Sequence, residues 1–313
     1  MFPKKVSLIT GFLGAGKTTL INNIISELTD VRFCVVENEF GAVGLDKELI
    51  TAELDTSVFQ LSNGCLCCSL NGDLVDLLKQ LIDLGDSYDH LIIETTGIAE
   101  PDAIAKIFLT EPEVQQYFEL DSCICVVDSY NFEINQELRA EAKKQIAFSD
   151  TYYLSKRSDD NKASQERITK ELNTVNPQAE IITEINKNLI NRASFEAGQL
   201  DITVHNPGHT TSMRSYSFVF EDKPFDMLKI RQWFNVLIAV QSTNIYRVKG
   251  ILWIHGLEES MVIQSVHKTA LFQKGKEFVG APSSKIVLIG EELDKEVIEK
   301  YLRKCLISDN MLF

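Results

Sequence analysis

Positive charge is scarce in this sequence. Its 313 residues carry 31 Lys and Arg against 45 Asp and Glu, a net charge of −14 at pH 7. No cluster of Lys and Arg stands out. Nucleic-acid binding rests on such clusters, which displace counterions from phosphates, so no nucleic-acid partner is expected. No apolar run approaches the roughly 20 residues that a spanning helix needs, so no membrane association is expected. The first residues run straight into a strand without a leader-like segment, and a cytoplasmic location is the expectation. There is no histidine-rich metal tract. The five histidines (His90, His205, His209, His255, His267) are scattered, and packing or surface roles are expected for them. Internal repeats and low-complexity tracts are also missing. What remains is ordinary for a globular protein: 44% hydrophobic and 24% charged residues, with length enough for two domains. Seven cysteines in a reducing compartment read as thiols or metal ligands before disulfides.

The stretch Gly11-Phe12-Leu13-Gly14-Ala15-Gly16-Lys17-Thr18-Thr19 reads G-x-x-x-x-G-K-[ST], the phosphate-binding loop of nucleotide hydrolases. Before it, Val6, Leu8 and Ile9 mark a short buried strand. After it, Leu20, Ile21, Ile24, Ile25 and Leu28 recur at helical spacing. A strand, a glycine-rich turn and a helix are the context this motif requires. The glycines let backbone N–H groups turn inward around a phosphate, and the helix N-terminus adds partial positive charge. Gly11, Gly14, Ala15, Gly16, Lys17, Thr18 and Thr19 are therefore the expected phosphate-binding residues. Lys17 is placed to reach the β and γ phosphates, and the Thr18 hydroxyl to ligate Mg²⁺.

Strand and helix patterns alternate beyond this point. Strands are expected at 33–37, within 51–61, and at 90–94, 122–128, 151–154 and 181–184. Helices are expected at 70–84, 103–109, 132–148 and 165–172. Alternation of this kind predicts a parallel sheet with helices on both faces. Near Asn206-Pro207-Gly208 the pattern breaks, which places a linker at 201–214 between a first domain (1–200) and a second (215–313). In the second, strands at 216–220, 246–255, 261–266 and 284–289 with helices at 226–240 and 294–306 predict a smaller α+β domain with an antiparallel sheet.

Glu94 ends a strand and precedes Thr95-Thr96-Gly97. Ligands of parallel α/β sheets sit at the carboxyl ends of the strands, so Glu94 is a candidate to hold Mg²⁺ or its water, and the Gly97 N–H to sense a γ-phosphate. Cys65, Cys67 and Cys68 give three thiols within four residues, just before a helix. A helix N-terminus favours thiolate, and thiolates select zinc, or cobalt by the same geometry, over Mg²⁺. Three thiolates leave a tetrahedral ion one ligand short, with water, Glu37 or a partner's side chain as candidates. An incomplete shell suits transfer better than structural storage, since structural zinc sites are closed; a redox pair is the alternative. Cys123 and Cys125 share one face of a buried strand and read as core, as do Cys34 and Cys305. Lys156, in Ser155-Lys156-Arg157-Ser158-Asp159, follows a strand where GTPases carry Asn/Thr-Lys-x-Asp. Ser155, Lys156 and Asp159 are the candidate base-binding residues, although Ser158 occupies the expected Asp position.

Taken together, the segments at 11–20 (GFLGAGKTTL), 37–41 (ENEFG), 63–68 (NGCLCC), 94–101 (ETTGIAEP) and 126–129 (VVDS), with 247–256 (RVKGILWIHG) and 286–290 (IVLIG) further on, resemble the CobW/YjiA-like family of metal-handling P-loop GTPases. That family is similar to the nickel-insertion GTPases serving urease and hydrogenase. The resemblance covers nearly the whole chain. It implies a P-loop NTPase fold followed by a CobW C-terminal-like domain, and a GTP-hydrolysing metallochaperone that uses GTP and Mg²⁺, holds zinc or cobalt at Cys65, Cys67 and Cys68, and hands it to a client metalloprotein. It also implies that Glu37 and Glu39 lie in a switch linking metal to nucleotide, with Glu39 or Glu94 orienting the attacking water beside Lys17. Ser158 departs from the guanine-reading pattern, with Asp159 as a substitute one residue on. Two other classes fit parts of the sequence: a small-molecule kinase with a structural zinc site, and a nucleotide-independent zinc or redox protein. Monomer and homo-oligomer are both open.

Overall fold

Short β-branched segments and amphipathic segments alternate along the first half of the chain, and in the computed structural model they form a parallel α/β sheet. The structure describes residues 3–37, 57–60, 70–97, 99–132, 140–156, 162–186, 189–190, 213–241, 244–266 and 269–308. The chain divides into two compact units, Met1–Lys170 with Ala179–Ser194, and Glu171–Gln178 with Phe195–Phe313.

In the first unit, β1 (Lys4–Gly11), α1 (Lys17–Glu27), β2 (Phe33–Glu37), β3 (Ser57–Gln60), α2 (Leu70–Asp83), β4 (His90–Glu94), α3 (Pro101–Thr110), α4 (Pro112–Tyr117), β5 (Phe118–Asp128), α5 (Ala140–Phe148), β6 (Thr151–Ser155), α6 (Lys162–Val175) and β7 (Glu180–Ile182) follow in order. Among the described residues the sheet has seven strands in the order β3-β2-β4-β1-β5-β6-β7, every pair parallel. The chain fills one side of β1 with β2, β3 and β4, then crosses to the other with β5. Strand order thus reverses at β1, and the carboxyl end of β1 is the place where such sheets bind ligands.

Both faces of the sheet are covered, as a near-continuous apolar strand requires. On one face α1 packs Leu20, Ile21, Ile24 and Ile25 against Ile9, Val35, Ile92, Ile124 and Val126. On the other, Leu8, Val36, Leu91, Ile93, Cys123 and Cys125 are buried, and α3 and α5 lie against β1 and β5.

The second unit holds β8 (Met213–Phe220), α7 (Met227–Gln241), β9 (Ile245–Leu252), β10 (Glu259–Val266), β11 (Thr269–Glu277), β12 (Ser284–Glu291) and α8 (Lys295–Lys304). Among the described residues its sheet has five strands in the order β11-β10-β9-β12-β8, antiparallel throughout. The helices press Ile230, Phe234, Ile298 and Leu302 onto Phe218, Phe220, Val248, Ile263 and Leu288 to make a separate core.

Several elements differ from the sequence expectation. β11 is not among the strands expected from the sequence. It is an edge strand whose Gln273, Lys274, Lys276 and Glu277 are exposed, so it has no apolar alternation to reveal it. β5 starts at Phe118 rather than 122, through a shift of register opposite Val6 and Ser7 that interrupts the pattern. α4, a helix of six residues, was not expected either. β8 begins at Met213 and takes in the last two residues of the expected linker; 201–212 lie outside the described residues.

Candidate nucleotide and metal site

At the carboxyl end of β1 the backbone turns through Gly11 (φ 139°), Gly14 (φ 74°) and Gly16 (φ 101°), conformations that favour glycine. Gly11 is also confined by space, because a Cβ there would lie 2.4 Å from the Val126 carbonyl oxygen. Gly16 is the N-cap of α1. No side chain caps that helix end, and its first turn contains no acidic residue. An uncapped N-terminus with glycines leading into it leaves N–H donors for an anion.

Lys17 is buried in the first turn of α1, and its Nζ donates to the carbonyl oxygens of Gly11 (3.1 Å) and Phe12 (3.4 Å). Burial pulls the ammonium below its ordinary range, and the Glu94 carboxylate opposes that fall. The Thr18 hydroxyl lies 3.2 and 3.3 Å from the two Glu94 carboxylate oxygens. A hydroxyl beside a carboxylate is a hard-oxygen donor pair, which suits Mg²⁺.

The segment leaving β4 is fixed against this loop. Thr95 N donates to Ile9 O (2.9 Å), and its hydroxyl donates to that of Thr10 (3.1 Å). At Gly97 a Cβ would stand 2.5 Å from Leu13 N, so only glycine fits. From the other side, the Gln145 Nε2 of α5 donates to the carbonyls of Gly97 (3.2 Å) and Ala99 (3.1 Å), and Lys144 pairs with Glu100.

The end of β6 closes the opposite flank. The Ser155 hydroxyl lies 2.6 Å from Ala15 O and 3.2 Å from Val127 O. Lys156, held at φ 50°, donates from Nζ to Gly14 O (2.6 Å) and to an Asp128 carboxylate oxygen (2.9 Å). Asp128 also accepts from Tyr130 N, Asn131 N and Asn131 Nδ2. Burial alone would raise its carboxyl, but the donors from Asn131 and Lys156 prevail and hold it below the ordinary range.

Gly11, Gly14, Ala15, Gly16, Lys17, Thr18, Thr19, Glu94, Gly97, Ser155 and Lys156 thus converge on one end of the sheet, with Thr19 exposed on α1. Glu37 ends β2 opposite Glu94 in the register, and its side chain lies outside the described residues. Glu39, Cys65, Cys67, Cys68, Ser158 and Asp159 lie outside them altogether, as do His205, His209 and His267. Among the described residues no three His, Cys, Asp or Glu side chains form a metal-ligating group. The four described cysteines, Cys34, Cys123, Cys125 and Cys305, are all buried thiols. Burial raises each thiol that shifts: Cys34 to about 12, Cys305 to about 11, and Cys125 upward. His90 is buried and bonded to the Ser7 hydroxyl (2.9 Å), and His255 is exposed. Sequence reasoning missed Asp128 and Gln145 as contributors. VVDS carried a hint of the first; nothing local marks the second.

Residues 5–183 match the family described as CobW/HypB/UreG, nucleotide-binding domain, and residues 213–306 match the cobalamin synthesis protein cobW C-terminal domain. The chain is 31% identical over 312 residues to the zinc chaperone YjiA of Escherichia coli (strain K12), covering 95% of this chain and 97% of the relative. It is 27% identical over 359 residues to zinc-regulated GTPase metalloprotein activator 1 of Saccharomyces cerevisiae, covering 96% and 83%. The crystal structure of Zn(II)-bound YjiA GTPase from E. coli superposes with a TM-score of 0.75 at 26% identity, over 97% of this chain and 99% of that one.

Proposed function

This chain belongs to the CobW/HypB/UreG family, and from that membership and its site we propose that it is a GTP-hydrolysing zinc chaperone. The single observation that carries the reading is the Thr18–Glu94 pair beside a buried Lys17 at an uncapped helix N-terminus. A Lys, a hydroxyl and a strand-end carboxylate around a free helix end are what a triphosphate requires. Thr18 and Glu94 would hold Mg²⁺, which neutralises charge on the transferring phosphoryl group when bound. Lys17 leaves the Gly11 and Phe12 carbonyls and donates to the β and γ phosphates. The α1 N–H groups bind the phosphate oxygens, the Lys156 stem lies along the base, and Asp159 accepts from it. Glu94 or Glu39 orients the attacking water, and the Gly97 N–H binds the γ-phosphate.

The zinc cargo is carried by Cys65, Cys67 and Cys68, with Glu37 as the candidate fourth ligand. These residues follow β2 and β3, two strands on the same side of β1 as Glu94. A γ-phosphate that orders 37–41 and 65–68 assembles the cargo site, and its hydrolysis loosens that site so that a client metalloprotein takes the ion. The domain limits proposed are 1–200 and 215–313.

The test is zinc affinity measured by calorimetry with a non-hydrolysable GTP analogue and with GDP. Tighter zinc binding in the analogue state is expected. Cys67→Ala should abolish zinc binding and leave nucleotide binding intact. Equal zinc affinity in both states, or full-strength binding by the variant, overturns the proposal.

A further inference from the structure

The segment after β4 is gripped at two points by one short stretch of α5. Gln145 is 1% exposed, and its Nε2 spends both protons on loop carbonyls, those of Gly97 (3.2 Å) and Ala99 (3.1 Å). Its neighbour Lys144 pairs with Glu100. On its far side the same loop is tied to β1 through Thr95 and pressed at Gly97 onto the Leu13 backbone. The loop therefore lies between the phosphate-binding loop, which Gly97 touches at Leu13, and α5, which holds the Gly97 and Ala99 carbonyls.

We infer that Gln145 is a positioning residue for the third phosphate: it holds the Gly97 and Ala99 carbonyls so that the Gly97 N–H meets the γ-phosphate, with the Lys144–Glu100 pair holding the end of the same loop. The inference rests on the GTPase reading above and adds to it an element outside the nucleotide motifs. A buried carbonyl at Gly97 and a part-buried one at Ala99 share one donor group, and releasing the buried one unpaired in the interior is costly. A donor lost from Gln145 lets the loop relax away from its set position. That matters only for a ligand that the loop touches, which is the triphosphate and not the diphosphate.

The test compares the affinities of GTPγS and GDP for the full chain. Gln145→Leu, similar in size and without a donor, should weaken GTPγS about tenfold while leaving GDP within about twofold. Equal weakening of both nucleotides, the sign of a merely structural role, overturns the inference, as does an unchanged GTPγS affinity. The part-exposed ion pair gives a second measurement that does not disturb the core. Lys144→Glu should weaken GTPγS selectively by about threefold, and adding Glu100→Lys should restore it. No effect of Lys144→Glu, or no rescue by the exchange, counts against the inference. A wild-type chain that binds neither nucleotide overturns the GTPase reading itself.

Discussion

Burial shifts Asp121 and His90 in opposite directions. Burial lifts the Asp121 carboxyl from an ordinary 3.8 to about 6, against the pull of Lys5 (3.2 Å), and its Oδ2 finds no hydrogen-bond partner among the described residues. Burial, with Lys5 adding to it, drops His90 from 6.5 to about 4. For Asp121 the folded chain keeps a proton that the unfolded chain releases. Its stability contribution is present below 3.8 and is lost as pH rises through about 6. For His90 the folded chain refuses a proton that the unfolded chain takes, so its contribution is present above 6.5 and lost as pH falls through about 4. Over the shared window the two slopes oppose and nearly cancel. Asp121→Asn should therefore lose stability on acidification through that window, and His90→Gln should lose it on going the other way. Urea midpoints across the window check both, and parallel profiles for the two variants would refute the pairing. At this scale, legibility followed sequence distance. Lys17, Thr18 and the glycines were readable because their spacing is itself the chemistry. Gln145 lies 48 residues from Gly97, and nothing near it in the chain announces the contact.

α8 shows how an element's end is written into its sequence. Asp294 caps it by accepting from Glu296 N (3.0 Å) and Val297 N (3.1 Å), Glu296 lies in the first turn, and Arg303 and Lys304 in the last, all matched to the helix dipole. Asp294→Ala should cost about 1 kcal/mol, seen as a lower urea midpoint with GTP hydrolysis unchanged. An unchanged midpoint would assign the cap no role. The elements with a buried apolar pattern were legible almost to the residue, as at Phe33–Glu37 and His90–Glu94. β11 was not, because an edge strand answers to its neighbour's backbone more than to its own side chains.

Among the described residues each unit has a core of its own, the first on both faces of its parallel sheet and the second under α7 and α8. Two cores melt as one only if strongly coupled, so two calorimetric transitions are expected. A GTP analogue with Mg²⁺ should raise one of them, and Lys17→Ala should cancel that rise along with hydrolysis. A nucleotide shift that survives Lys17→Ala would relocate the binding site. The α/β class and the antiparallel second sheet were readable from alternation; the strand order, with β4 inserted beside β1, was not, since it depends on pairings between distant segments.

The interior position of Cys34, Cys123, Cys125 and Cys305 bears on stoichiometry. Seven cysteines in a metal carrier of the kind proposed risk scavenging ions at the wrong place, and Cys34, Cys125 and Cys305, whose thiols burial raises, make poor competitors, with Cys123 sealed in the packing beside them. A thiol reagent added to the intact fold should accordingly count no more than three cysteines, the three proposed to carry the cargo; a higher count would show that a buried thiol is within reach.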